Sequence, residues 1–148
     1  MSPATVPTNE SGEPESYLLL NRQRKRRIDR RGLEYFVDRL IKELSPAGMF
    51  CIVLVSDRVI RRYNSIYRGF DKSTDVLSFS GDEGYLGDVL ISTETAYDQV
   101  RRSQTLDFET NLKRLTLHGL LHLIGYDHET DDGEMRSVER RLRRRFRC

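Results

Sequence analysis

Hydrophobic positions along the chain change period several times, and each change marks a boundary. Residues 17–23 (YLLLNRQ) hold a short apolar run that predicts a strand. Over 31–44, Leu33, Phe36, Val37, Leu40, Ile41 and Leu44 recur at helical spacing, and Ser45, Pro46 and Gly48 stop that helix. The run FCIVLVS at 50–56 predicts a central strand, because a strand covered on both faces is apolar at successive positions. Asp57 is placed to N-cap a helix reaching about residue 67, and RGFDKST at 68–74 has loop chemistry. DVLSFS at 75–80 and DVLIS at 88–92 flank the Gly/Asp-rich GDEGYLG, which predicts a hairpin. Helices are expected at about 93–103, 108–124 and 131–146. Four strands and five helices in this order predict one α/β domain over 17–148, a small mixed sheet with helices packed on it.

Residues 1–16 carry three of the four prolines and no apolar period, and are expected to form a disordered tail. At 148 residues the chain suits a single domain with a sizeable core. It has no apolar run of about 18 residues, and its start lacks the basic and apolar regions of a secretory signal. A cytoplasmic protein is expected. Cys51 sits in an apolar run and reads as a small buried hydrophobe, and two cysteines so placed are a poor basis for a disulfide framework.

The net charge is only +2, but its distribution is uneven. Residues 22–31 carry seven bases against one acid, and residues 135–148 carry seven arginines against one glutamate. Arginine outnumbers lysine 21 to 4, and its planar fork matches phosphate oxygens. Such clusters suit a nucleic-acid surface, although a solvated helix face carries the same charge.

All three histidines, His118, His122 and His128, fall within LHGLLHLIGYDHE, residues 117–129. His118 and His122 are four apart on a largely apolar predicted helix, which puts both imidazoles on one face about one turn apart. Gly125 suits the position where the chain leaves a helix through positive φ, and that turn brings His128 back toward the pair. Three imidazoles leave one position of a tetrahedral ion open, the mark of a catalytic zinc site. The spacing is close to that of zinc peptidases, in which glutamate follows the first histidine as general base; here that position is Gly119. Asp127 either orients a ligand or caps the turn.

The run His118–Gly119–Leu120–Leu121–His122–Leu123–Ile124–Gly125–Tyr126–Asp127–His128 resembles the HGxLHLxGYDH signature of the YbeY endoribonucleases. Upstream, Asn64, Arg68 and Thr74–Asp75–Val76–Leu77–Ser78–Phe79 resemble that family's NxxxR and TDVLSF segments, and Gly87–Asp88 its GD pair. These segments span about 57–135; the N-terminal extension and the arginine-rich C-terminal helix depart from the pattern. The resemblance implies an α/β sandwich distantly like the metzincin proteases, with one Zn2+ or other divalent ion held by His118, His122 and His128. It also implies single-strand-specific cleavage of RNA, in maturation of the 3′ end of small-subunit ribosomal RNA and in ribosome quality control.

Within that frame Arg68 is the candidate catalytic residue, placed near the metal to bind the scissile phosphate, or else a residue tying down a loop. Asn64, one turn before Arg68, and Ser78, alternating with Leu77 and Phe79, are candidate substrate-binding residues. Thr74 and Asp75 suit a structural loop-to-strand turn, and Met135 suits the core. Tyr63, Tyr67, Phe70, Phe79 and Tyr85 are expected around the entrance, where rings would stack unpaired bases, although most aromatics serve the core and core packing is the favoured reading. The expected partners are RNA, above all ribosomal RNA and the small subunit, with the chain acting as a monomer. Two alternatives are a non-catalytic ribosome-assembly factor with a structural metal and a metallopeptidase-like hydrolase.

Overall fold

The computed structural model describes residues 8, 10, 16–127 and 129–148; most of the expected tail, and His128, lie outside the described residues. The elements run β1 (Tyr17–Asn21), α1 (Arg30–Leu44), β2 (Met49–Val55), α2 (Asp57–Arg68), β3 (Val76–Ser80), β4 (Tyr85–Ser92), α3 (Thr93–Asp98), α4 (Phe108–Ile124) and α5 (Glu134–Phe146). The sheet order is β1-β2-β4-β3, with β1, β2 and β4 parallel and β3 antiparallel to β4. Four strands and five helices in one mixed sheet are what the hydrophobic pattern predicts.

Side-chain alternation splits the core between the two faces of this sheet. Phe50, Ile52 and Leu54 of β2 join Val89 and Ile91 of β4 in the main cluster, which α1, α4 and α5 cover with Leu33, Leu40, Leu117, Leu120, Leu121 and Met135. The intervening Val53, Val55 and Leu90 face the other way, where Ile60 of α2 closes a smaller cluster with Leu77 and Phe79. Being central, β2 is apolar throughout because both of its faces are covered. Met135 is fully buried in the main core, as expected. Cys51 is buried and unpaired, and burial pushes its thiol up to about 11.

Four boundaries differ from expectation, each for a local reason. Ser56, not Asp57, caps α2, its hydroxyl accepting from Val59 N, while the Asp57 carboxylate accepts from the Ser92 and Thr95 hydroxyls and ties α2 to α3. Helix α3 stops at Asp98 rather than near 103; Asn111 donates to the Ala96 carbonyl, and Val100 N turns to the Tyr97 carbonyl three residues back. β4 begins at Tyr85, so that part of the Gly/Asp-rich stretch is strand; Tyr85 pairs Met49 and Gly87 pairs Phe50 across a bulge. Helix α5 starts at Glu134, because the Asp131 carboxylate takes the Gly133 and Met135 amides and holds the chain in a turn first. Among the described residues, no helix is long and apolar enough to cross a membrane.

Candidate active site

Helix α4 is capped at its start by Asp107, which accepts from Thr110 N at 2.7 Å, and packs on β3 and β4. Its approach to the sheet is unusually close at Gly119. A Cβ there would lie 2.4 Å from Val89 Cγ1 and 3.2 Å from Ser78 Oγ. The Ser78 hydroxyl uses that proximity to donate to the Gly119 carbonyl at 2.9 Å, joining β3 to α4. A side chain at this position would have to displace Val89, so the peptidase glutamate fits poorly here and glycine avoids the strain.

The far end of α4 closes in a Schellman turn. Gly125 takes φ +117°, its amide donates to the His122 carbonyl, and Tyr126 N donates to the Leu121 carbonyl. This turn delivers the Tyr126 carbonyl to the His122 ring, where it lies 3.0 Å from Nδ1. One turn earlier, His118 Nδ1 lies 2.6 Å from the Glu139 carboxylate on α5. A carbonyl and a carboxylate can only accept, so both Nδ1 atoms donate and, in the neutral rings, both Nε2 atoms carry lone pairs.

Those Nε2 atoms lie 3.1 Å apart, with the ring planes 80° apart. Two acceptors at that distance repel unless a proton or a metal cation stands between them. The donor set therefore fits a borderline divalent ion, with each ligand oriented from behind by an acceptor. Among the described residues no group of three or more His, Cys, Asp or Glu side chains is arranged to hold a metal ion, and the expected third ligand, His128, falls outside them.

Glu139 does not stand out in the sequence, although it is the one acid in the arginine run 135–148. Burial raises its pKa, but the hydrogen bond from His118 and the Arg143 charge outweigh this and hold it below the usual carboxylate range. Arg143 approaches the same carboxylate at 3.5 Å.

The histidines open onto a cleft of about 560 Å³ that Arg68, Asp75, Ser78 and Asp127 also line. The structure thus brings Arg68, Ser78, His118 and His122 together. Asn64 is not on that wall. It is 1% exposed, and its amide donates to the Lys72 carbonyl at 2.9 Å, fixing the loop after α2. Asp75 accepts from Val76 N and Gln99 Nε2, the structural role expected of it, and Asp127 caps its turn by accepting from Glu129 N. Tyr85 is a strand residue whose hydroxyl donates to Asp88; burial and that carboxylate raise its pKa.

Both basic clusters are partly engaged, the second through Arg143 with Glu139 and Arg145 with Glu43. In the first, Lys25 pairs with Glu94, Arg30 bonds Glu34 and the Leu19 carbonyl, and Arg26 lies 3.3 Å over the Tyr97 ring. In the second, Arg136, Arg140 and Arg143 line a second cavity of about 480 Å³ that meets the first at His118.

The family model described as endoribonuclease YbeY matches residues 18–147. This chain belongs to the YbeY family. It is 39% identical to the endoribonuclease YbeY of Solibacter usitatus, over 88% of each chain. To that of Caldanaerobacter subterraneus it is 37% identical, over 87% of this chain and 96% of the relative. The solution structure of TM1509 from Thermotoga maritima superposes with a TM-score of 0.63 at 26% identity, covering 88% of this chain and 91% of that one. The α/β architecture inferred for a YbeY-type sequence is thus the one this chain adopts.

Proposed function

We propose that this YbeY-family chain is a metal-dependent endoribonuclease that cuts single-stranded RNA and matures the 3′ end of small-subunit ribosomal RNA, with a part in ribosome quality control. The observation that carries the metal site is the convergence of the His118 and His122 Nε2 atoms, each ring held from behind by an acceptor. His118 and His122, with His128 as the third ligand expected from its spacing, would hold Zn2+ or a similar ion. When bound, such an ion supplies Lewis-acid charge to the phosphoryl group and lowers the pKa of an attacking water.

The chain's own groups supply the rest. Arg68, exposed on the cleft wall, binds the scissile phosphate and offsets charge that develops on its oxygens. Ser78 has given its proton to the Gly119 carbonyl, so its lone pairs accept from the strand, a 2′-hydroxyl being the fitting donor. Glu139 and the Tyr126 carbonyl keep both Nδ1 atoms protonated and both rings fixed. Asn64 acts at one remove, holding the Lys72 loop beside Arg68.

The test is cleavage of a hairpin RNA bearing a single-stranded ribosomal 3′ extension, by wild type and His122→Ala purified in parallel. Cleavage confined to the extension, and made by wild type only, is expected. Equal cleavage by both proteins, or by neither, overturns the proposal.

A further inference from the structure

Six large hydrophobic side chains are exposed among the described residues, and five of them lie between 59 and 70: Val59, Tyr63, Ile66, Tyr67 and Phe70. Their spacing of four, three, one and three puts them on one outward stripe of α2 and the turn that follows. The inward face of the same helix is already satisfied by Ile60 in the smaller core cluster. Tyr63 and Tyr67 meet the core only through the Phe79 ring, the rest of the stripe faces outward, and apolar surface gathered in one place marks a binding site.

The chemistry of the stripe is aromatic and basic. Tyr63 and Tyr67 lie nearly parallel, centroids 5.9 Å apart and planes 15° apart. Arg58 and Arg62 flank a groove of about 1000 Å³ beside them and have no ion-pair partner among the described residues. The nearby acids are spent: Asp71 is held by Arg61, and Asp57 takes the Ser92 and Thr95 hydroxyls. The stripe also runs into the histidine cleft. Tyr67 packs against Phe79 at 5.3 Å on the α2 side of the sheet, and the stripe reaches the cleft at Arg68, which lines the cleft and lies 5.4 Å over the Phe70 ring.

We infer that the outward face of α2 is a track for the unpaired RNA strand as it leaves the cleft, with Tyr63, Tyr67 and Phe70 stacking bases and Arg58 and Arg62 holding phosphates. This rests on the nuclease reading above and adds the surface that selects single strands. Bases of a duplex hide their faces in the helical stack, whereas an unpaired strand offers every face to a ring. A surface with positive charge and no free acid favours a polyanion over a protein partner.

The test uses a labelled single-stranded RNA, intact or with abasic riboses on one side of the cleavage point. It is offered to wild type, Tyr63→Ala/Tyr67→Ala, Ile66→Glu and Arg58→Gln/Arg62→Gln. Loss of each stack is expected to raise KM roughly tenfold, with little of the effect in kcat. Abasic substitution is expected to penalise wild type and leave the tyrosine variant almost unaffected. Ile66→Glu raises KM without disturbing Phe79, because Ile66 is 66% exposed. The arginine variant is expected to flatten the dependence of log KM on log salt by about 0.7 for each phosphate that it no longer neutralises. If all variants cleave the intact RNA with wild-type KM, as they would were the face a protein-docking surface, the track is overturned while the nuclease reading stands. If wild type fails to cleave, both fall.

Discussion

Glu139 on α5 accepts a hydrogen bond from His118 Nδ1 on α4 at 2.6 Å, across 21 positions of chain. The bond makes the arginine-rich helix part of the histidine site, since it fixes which nitrogen of His118 faces the cleft. Removing it as Glu139→Ala is expected to weaken zinc affinity about 10-fold to 100-fold, measured by chelator competition. Glu139→Gln, which keeps an acceptor oxygen, is expected to lose less. Equal affinity in all three proteins would show that the ring needs no such support.

Arg68 lines the same cleft but touches neither histidine through any described hydrogen bond, so its loss separates binding of metal from cleavage. Arg68→Ala is expected to retain wild-type zinc stoichiometry while kcat for RNA cleavage falls about 100-fold or more, the scale of losing one donor to developing charge. Arg68→Lys, a point charge without the planar fork, is expected to recover part of the loss. Cleavage at wild-type rate by Arg68→Ala would exclude its proposed role.

Gly119 occupies the position of the peptidase base, 2.4 Å from Val89 Cγ1 when given a Cβ. Gly119→Ala is therefore expected to cost about 1–3 kcal/mol in urea unfolding, through overpacking that offsets alanine's better helix propensity. Gly119→Glu is expected to lose more stability and to gain no activity on casein. A stable Gly119→Glu protein that cleaves casein would reverse the physical reason given for the glycine.

Asp107 titrates below its ordinary 3.8 because it accepts hydrogen bonds at Thr110, with a smaller contribution from the Lys113 charge. Its folded-state value being depressed, its stabilisation is fully present above the unfolded pKa and is lost as pH falls through the folded one. The Asp107→Ala variant is expected to be less stable than wild type by about 1 kcal/mol at pH 7, with the gap closing in acid below the carboxylate range. Asp107→Asn keeps the cap and is expected to show little of that closure. Urea midpoints across pH distinguish the three proteins.

The elements legible in the chain are those whose pattern is set by their own burial. Leu33, Phe36, Val37 and Leu40 announce α1 because one face meets the sheet, and 50–55 announces β2 because both faces are covered. His118 and His122 are legible for a similar reason, four residues being one turn. Glu139 is not, because what distinguishes it from a solvated helix glutamate is a partner on another helix. Asn64 misleads for the same cause: one turn from Arg68 in sequence, it faces the interior and the Lys72 carbonyl instead. Tyr85 and Gly87 read as loop because glycine marks turns locally, whereas pairing with β2 decides the strand.

In the proposed nuclease, RNA cleavage would depend on an ion held by His118 and His122 with His128. The most direct measurement strips the protein with a chelator and adds zinc back stepwise, recording bound metal and cleavage of the single-stranded extension in the same samples. Cleavage absent from the stripped protein and rising in proportion to occupancy, saturating at one zinc per chain, is the expected result. Full cleavage by the stripped protein, or full occupancy with no cleavage, would contradict it.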